Sequence, residues 1–358
     1  MPDTVVRRRW PRIILTVLLA VVVLAGVLVA TVFINGAIVM NNALGAQKEH
    51  LAALQEQVAD QPDGVFADWR ETPIADETPW SDVQSIATHN SYAIAPDLIQ
   101  NAVLQIARPG EPAKLAYSHD PLWDQLDQGV RSVELDLRVH DDGALRLTHV
   151  PVLANASNAP DFRLALEEIA LWSDSHPGHL PITILVEFKS DYAFLDPTLT
   201  EWDDDGLGLV DDAIQENLGD ALFSPAELDG NDWPVVGDLR DRVMVIMHPG
   251  PLAPVYGTSG EVDRTMFLAS QDTAKAGMPF VVHNAPDPRT IMQLRQGGLI
   301  VRTRADADLS TDPAERDRAL ASGAQVISTD FPAPKEQSDT GYTVSFPDGD
   351  LNRVIPGG

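Results

Sequence analysis

The sequence contains no cysteine, and that absence removes two kinds of chemistry from consideration. Its 358 residues offer neither thiolate ligands for zinc nor a cysteine nucleophile. A domain of this length buries a sufficient core without disulfides, so their absence is compatible with a place outside the cytoplasm. A glycine-rich phosphate-binding loop is also lacking, which disfavours a doubly wound sheet as the alternative α/β fold.

Basic residues are scarce as well. The chain has 25 Lys and Arg against 53 Asp and Glu, for a net charge of -28. Such a chain repels nucleic acid at long range, so we expect no nucleic-acid partner. The sequence does not indicate which protein partner, if any, the chain has. Most of the carboxylates are expected to be solvated surface groups, and only their placement indicates whether some of them bind a divalent cation.

Charged residues are absent from positions 13–34, which form one uninterrupted apolar segment. A helix of this length measures about 33 Å and matches the hydrocarbon core of a bilayer. Four arginines precede the segment: Arg7, Arg8, Arg9 and Arg12. This order predicts a cytoplasmic basic segment at 1–12, a transmembrane anchor at 13–34 and an extracytoplasmic remainder. A cleaved signal peptide with a weak site at 44–46 is the alternative, and it would release a secreted protein.

The rest of the chain divides into three parts. Residues 35–80 predict a flexible stalk or linker that includes a short amphipathic helix at 43–58. Residues 81–335 alternate short apolar runs with helical or loop stretches, which is typical of an α/β fold. Eight runs are candidate strands: 85–90, 131–137, 144–150, 181–189, 242–248, 279–284, 298–304 and 325–331. This count predicts a TIM (β/α)₈ barrel, followed by a C-terminal tail at 336–358.

The barrel is expected to be irregular near its start. Only VHDDG at 139–143 separates the second candidate strand from the third, and this is too short for a parallel crossover helix. The chain therefore has to double back through the turn at Asp142 and Gly143 before it continues.

Polar residues gather at the carboxyl ends of the first four candidate strands, which meet at one mouth of a barrel. Side chains alternate along a strand, so Glu134 shares a face with Asp136, and Glu187 shares a face with Lys189. Burial of several carboxylates together requires compensation, which a hard cation with oxygen ligands supplies. By residue type, Asn90, Glu134, Asp136 and Glu187 suit Ca²⁺, with Mg²⁺ as the alternative.

Several segments together resemble the Ca²⁺-dependent phosphatidylinositol-specific phospholipases C, and most closely their compact bacterial members. These are THNSY at 88–92, GVRSVELD at 129–136, the strand-end His149, ILVEFK at 184–189, VRTRADAD at 301–308 and ASGAQVISTDFP at 321–332. The resemblance covers roughly residues 80–334 and agrees with the irregular TIM barrel expected from the strand pattern.

The resemblance implies a mechanism and the residues that carry it. In the family, the inositol 2-hydroxyl attacks the phosphorus and expels diacylglycerol, which leaves a cyclic inositol phosphate. Glu134 would take the hydroxyl proton, His149 would protonate the leaving oxygen, and His89 would stabilise charge on the phosphorus. The calcium ligands of the family correspond to Asn90, Glu134, Asp136 and Glu187. Candidates for contact with phosphate or headgroup are Lys189, Arg302, Arg304 and Asp330.

Two other functions stay open at this point. Glycerophosphodiester phosphodiesterases use a similar set of carboxylates and histidines on the same barrel. Their first strand usually ends in His-Arg-Gly, whereas this one has His-Asn-Ser at 89–91, which favours the phospholipase. The other is a membrane-anchored, non-catalytic binding protein, although all six catalytic and metal positions carry competent residues. The expected partners are thus a phospholipid or glycerophosphodiester substrate, and a membrane contacted through residues 13–34.

Overall fold

The computed structural model describes residues 10–61, 69, 71–258, 264–307 and 310–356. Arg7, Arg8 and Arg9 of the predicted cytoplasmic segment lie outside these ranges, as do residues 62–68 and 70 of the predicted linker. Only the backbone of Arg12 is described. Within the described ranges the chain forms ten strands and ten α-helices.

The strands belong to one curled sheet. They are β1 (Val83–Thr88), β2 (Ser132–Val139), β3 (Leu145–Leu147), β4 (Ile182–Phe188), β5 (Val243–Met247), β6 (Met266–Gln271), β7 (Phe280–Val282), β8 (Ile300–Arg304), β9 (Val326–Thr329) and β10 (Asn352–Val354). Their order is β10-β1-β9-β8-β7-β6-β5-β4-β2-β3. Among the described strands, β3 and β10 pair antiparallel at the two edges, and the other eight run parallel.

The helices lie between these strands or precede them. They are α1 (Trp10–Ala59), α2 (Leu98–Ala107), α3 (Glu111–Lys114), α4 (Leu122–Asp127), α5 (Phe162–Ser175), α6 (Asp204–Leu218), α7 (Val236–Leu239), α8 (Ala253–Thr258), α9 (Pro288–Gln296) and α10 (Pro313–Ala321). Helix α5 illustrates why they form where they do. The Asp161 side chain caps its first N–H groups, and Phe162, Leu166 and Ile169 repeat at helical spacing toward the core.

The predicted irregular TIM barrel is confirmed, and each of the eight candidate strands overlaps an observed strand. The third candidate is β3, which pairs antiparallel with β2, as the short connection requires. Two observed strands were not predicted. β6 supplies the eighth parallel strand, and β10, which lies in the predicted tail, pairs with β1.

The two ends of the barrel differ in chemistry. Aromatic rings fill the end where the strands begin: Trp80 lies 4.9 Å from Trp233, which lies 5.2 Å from Phe280 (centroid distances). At the other end, Ser91 joins β1 to β2, because its N–H donates to the Glu134 carbonyl and its hydroxyl oxygen accepts the Glu134 N–H, both at 2.8 Å. The aromatic cluster closes the first end of the barrel, so the open mouth lies at the carboxyl ends of the strands.

Helix α1 extends well beyond the predicted transmembrane anchor. Residues 13–31 are exposed on every side, and the helix is long and apolar enough to cross a membrane. The same helix continues to Ala59, and from Val32 onward one of its faces is buried, with Gln47, Leu51 and Leu54 on it. The flexible stalk predicted from residue 35 is therefore wrong for residues 35–59. The predicted helix at 43–58 is the last part of α1.

A buried histidine gives the fold a pH dependence that can be measured. His179 donates from Nδ1 to the Leu180 carbonyl oxygen (2.6 Å) and accepts the Ser173 hydroxyl at Nε2 (2.7 Å), which fixes a neutral ring. Burial lowers the pKa of His179 to about 4. As the pH falls, His179 takes up a proton in the unfolded chain before it does so in the folded chain. The contribution of the neutral ring to the free energy of unfolding is therefore complete above pH 6.5 and is lost between pH 6.5 and 4.

The expected loss from His179 is about 2 kcal/mol between pH 7 and pH 5. Thermal unfolding of the full chain in detergent at a series of pH values measures it, and His179→Gln should unfold with a smaller change in Tm over this range. An identical pH slope in the variant would show that His179 does not carry the effect.

Candidate active site

Parallel register brings the polar strand ends together at the mouth. Asp136 on β2 lies opposite Glu187 on β4, and Thr88 on β1 lies opposite Thr329 on β9. His89 and Asp330 come directly after the second pair, so they are neighbours as well. The mouth thus holds polar groups from strands that are distant in sequence, which is where TIM barrels carry their chemistry.

His89 is held by a carboxylate. Its Nδ1 lies 2.7 Å from Asp330 Oδ1, and the ring is 21% exposed. Burial, together with the nearby positive charge of Arg304, keeps the pKa of His89 well below its ordinary value of 6.5. A neutral ring that donates from Nδ1 to Asp330 has a lone pair on Nε2. This arrangement suits His89 to accept a proton from a bound group.

His149 has the same relation to a second carboxylate. Its Nδ1 lies 2.9 Å from Asp136 Oδ2, which also lies 3.4 Å from Lys189 Nζ. Burial by itself opposes ionisation of Asp136, but the charges of Lys189 and His149 hold the pKa of Asp136 far below its usual range. Asp136 is therefore ionised, and it fixes the orientation of the His149 ring through Nδ1.

Two further carboxylates are paired with cations. Glu134 Oε2 lies 2.5 Å from Arg302 Nη2, and although burial opposes ionisation, the guanidinium brings the pKa of Glu134 below its ordinary value. Glu187 Oε1 lies 2.8 Å from Lys189 Nζ. Burial and the neighbouring Asp136 nevertheless raise the pKa of Glu187. The mouth thus concentrates negative charge that Lys189 and Arg302 only partly offset.

Several oxygen atoms at this site are free to bind a metal ion. Ligand atoms of Glu134, Glu187 and His248 lie within 4.8 Å of one another. Asp136 Oδ1 is fully buried and receives no hydrogen bond from the described residues. Asn90, at a left-handed φ of 46°, donates its amide to the Tyr117 hydroxyl (2.8 Å), which leaves its amide oxygen available. Three carboxylates and an amide are the hard oxygen ligands that fit Ca²⁺.

A second layer of contacts fixes Asp330. Arg304 Nη2 lies 2.9 Å from Asp330 Oδ2 and 3.1 Å from Asp306 Oδ1. Asp306 Oδ2 accepts the Asp330 N–H (2.9 Å) and the Thr329 hydroxyl (2.5 Å). His119 also steadies this strand end, because its Nε2 donates to the His89 carbonyl oxygen (2.9 Å). Asp330 therefore has a fixed orientation toward His89.

All ten site residues predicted from the sequence lie on the barrel strands or directly after them, with Glu134 and Asp136 inside β2 and Arg302 inside β8. The structure pairs Lys189, Arg302 and Arg304 with carboxylates of the site, so their contact with a headgroup stays a prediction. Two residues of the site, His248 and Asp306, had no role assigned from the sequence. His248 follows β5 directly, and its place at the end of a candidate strand was the signal that it could line the mouth.

Comparison with protein families identifies the same part of the chain. The family model described as "Phosphoinositide phospholipase C, Ca2+-dependent" matches residues 79–145 and 140–356, which contain every residue of the site. No curated protein matches the chain.

Two bacterial enzymes of known structure share the fold. A calcium-dependent phosphoinositol-specific phospholipase C from Pseudomonas sp. is similar at a TM-score of 0.57 and 16% identity, over 79% of this chain and 98% of the other. A Ca²⁺-dependent phosphatidylinositol-specific phospholipase C from Streptomyces antibioticus is similar at a TM-score of 0.51 and 19% identity, over 71% and 95%. At these identities the likeness concerns the fold.

Proposed function

The chain belongs to the Ca²⁺-dependent phosphoinositide phospholipase C family, and we propose from this that it cleaves phosphatidylinositol to a cyclic inositol phosphate and diacylglycerol. The observation that carries the proposal is the pair of histidines at the mouth, each bound through Nδ1 to a buried carboxylate. Two such rings beside a group of carboxylates form a constellation for acid-base attack on a phosphodiester.

Calcium belongs to the family chemistry, and the donor set of the mouth fits it. Asn90, Glu134, Asp136 and Glu187 would hold the ion, with His248 beside them. When bound there, Ca²⁺ supplies positive charge that lowers the cost of negative charge on the phosphoryl oxygens.

The two histidines would divide the proton transfers between them. Neutral His89 accepts the proton of the inositol 2-hydroxyl at Nε2 while its Nδ1–H stays on Asp330. His149, held by Asp136 through Nδ1, gives a proton from Nε2 to the oxygen of the departing diacylglycerol. The new bond joins the 2-oxygen to phosphorus, and the bond to the glycerol oxygen breaks.

This assignment of the base differs from the one that the resemblance implied. Glu134 is already engaged, because its Oε2 pairs with Arg302 at 2.5 Å and its carboxylate belongs to the group that could hold a metal ion. His89 has a free Nε2, because Asp330 holds its Nδ1, and burial keeps its pKa below the ordinary value, so the ring is neutral at neutral pH. We therefore assign the base to His89 and leave Glu134 to the metal. Lys189 and Arg302 neutralise the carboxylates and are candidates for contact with the phosphate.

We also propose that residues 13–34 anchor the enzyme in a membrane, with the barrel on the extracytoplasmic side. The observations in support are the arginines before the apolar segment and the full exposure of residues 13–31. A cut at 44–46 would divide α1 within the part that packs on the barrel, which argues against a cleaved signal. The barrel domain is proposed at 81–335, and the remaining chain at 336–358 includes β10.

The test uses the full chain in detergent micelles that contain phosphatidylinositol. We expect release of water-soluble inositol phosphate with Ca²⁺ and none with chelator, and a slower reaction with glycerophosphoinositol. Hydrolysis of the deacylated diester alone would reassign the enzyme to the glycerophosphodiesterases. Calcium binding without turnover of either compound would contradict the proposed activity.

A further inference from the structure

The part of α1 that follows the apolar segment is built into the catalytic domain. Gln47 is buried, and its side chain makes two hydrogen bonds to the backbone of Asp161: Nε2 donates to the carbonyl oxygen (3.0 Å) and Oε1 accepts the N–H (2.8 Å). Leu51 and Leu54 follow on the same face and are buried too. A buried amide that replaces backbone hydrogen bonds holds the helix in one register. This contact is specific rather than a loose tether.

The docked face begins at Val32, in the last turn of the apolar segment, and it begins at the mouth. Asn35 donates to Asp97 Oδ2 (2.7 Å), the residue that caps α2, and the Gly36 carbonyl oxygen accepts from Asn155 (2.9 Å). A Cβ on Gly36 would lie 2.8 Å from Val152 Cγ1, so helix and loop are in direct contact. Val152 follows the active-site His149 by three residues. The mouth of the barrel therefore lies beside residues 35 and 36, where α1 would leave the bilayer.

The loops around this point expose apolar side chains. On α2, Leu98 is 88% exposed and Ile106 is 79% exposed, and the two lie two turns apart on one face. Phe194, in the loop after β4, is 82% exposed. That loop is tied to α2, because the Arg108 guanidinium lies 5.0 Å from the centroid of the Tyr192 ring. Leu98, Ile106 and Phe194 are called the mouth patch below.

We propose that residues 35–58 of α1 act as a rigid bracket that seats the barrel, mouth first, on the bilayer that residues 13–34 cross, with the mouth patch in contact with its lipids. Because the bracket fixes the barrel to the bilayer that residues 13–34 cross, the enzyme acts on lipids of that same bilayer. The proposal rests on the proposed function for the anchor and for the lipid substrate. Lipid is the occupant that the structure favours for the patch, because the patch adjoins a helix segment that is itself apolar on every side.

The absence of cysteine allows a direct measurement of the seating. Leu98→Cys and Val354→Cys each introduce one thiol for a fluorophore, at two exposed apolar positions. Val354 pairs with Val83 at the start of β1, about 20 Å from the mouth. The full chain is placed in phosphatidylcholine vesicles with nitroxide-labelled lipid. We expect several-fold stronger quenching at position 98 than at 354, and equal quenching at both would overturn the proposal.

The bracket itself is tested with a matched pair of glycines in α1. A Cβ on Gly36 meets Val152, whereas a Cβ on Gly45 has nothing within 4 Å. Gly36→Leu should reduce quenching at position 98 to the level at 354, and Gly45→Leu should leave it unchanged. If Gly36→Leu does not fold, Gly36→Ala should still lower Tm while Gly45→Ala does not. Equal effects of the two glycines would contradict the bracket.

Two vesicle populations test the restriction to one membrane. The enzyme is placed in vesicles with one fluorescent phosphatidylinositol and mixed with enzyme-free vesicles that carry another. Hydrolysis should be at least about tenfold faster in its own vesicles, since the bracket holds the mouth among those lipids. Equal rates would overturn the restriction. No hydrolysis in either vesicle or in micelles, with position 98 still quenched, would reject the proposed activity and support the bracket.

Discussion

Replacement of His89 by alanine should lower kcat on phosphatidylinositol by about 10²–10⁴-fold and leave Ca²⁺ binding intact. The reason lies in the neighbours of the ring. Asp330 fixes Nδ1 at 2.7 Å, and burial beside Arg304 keeps the pKa of His89 low, so Nε2 is unprotonated at neutral pH. The other imidazole of the mouth that is bound to a carboxylate, His149, follows β3 rather than β1 and is held by Asp136. Loss of the ring removes the proton acceptor without removing a metal ligand.

Two measurements on the same variant separate this role from others. Initial rates of inositol phosphate release give kcat, and the rise in Tm caused by Ca²⁺ reports metal binding. His140→Ala is the matched control, because His140 lies in the turn after β2 with its Nδ1 2.9 Å from Thr198 Oγ1. It should retain full activity. A loss below tenfold in His89→Ala would remove His89 as the base, and a lost Ca²⁺ response would make it part of the metal site.

The barrel could be predicted from the sequence where residue type and tertiary environment agree. β2 and β4 carry alternating or continuous runs of β-branched and leucine residues, and both were predicted. β6 reads MFLASQ, and Met, Leu, Ala and Gln favour helices, so its strand state comes from pairing with β5 and β7. β10 has three residues, too few for a pattern, and its pairing with β1 is entirely long-range.

The N-terminal region shows a different limit. Prolines, a glycine and acidic residues at 61–80 indicated an irregular linker, and local composition could not reveal that the helix before it docks on the barrel. The hydrogen bonds of Gln47 reach Asp161, 114 residues away. At the mouth, the sequence identified the residues of the site but not which of them contact each other. The sequence indicated His89 and Asp330 separately, but only the register of β1 with β9 makes them partners.

Replacement of Asp136 by asparagine should have an effect of a different kind, a loss of Ca²⁺ affinity on the order of 100-fold together with a loss of turnover. Asp136 has two tasks that use different oxygens. Oδ2 binds His149 (2.9 Å) and faces Lys189 (3.4 Å), whereas Oδ1 is buried without a hydrogen bond from the described residues. Asparagine places a neutral amide where a carboxylate is needed both to bind the metal ion and to hold the His149 ring, so both functions fail together.

Asp211→Asn separates this effect from the general cost of changing a buried aspartate. Asp211 on α6 is buried and binds Tyr256, Thr265 and Arg264. Its replacement should lower Tm, but Ca²⁺ should still raise Tm by the wild-type amount. In Asp136→Asn the rise should be almost absent at a Ca²⁺ concentration that saturates the wild type. A full rise in Asp136→Asn would show that the ion is held without this residue, and the remaining ligands would then be Asn90, Glu134, Glu187 and His248.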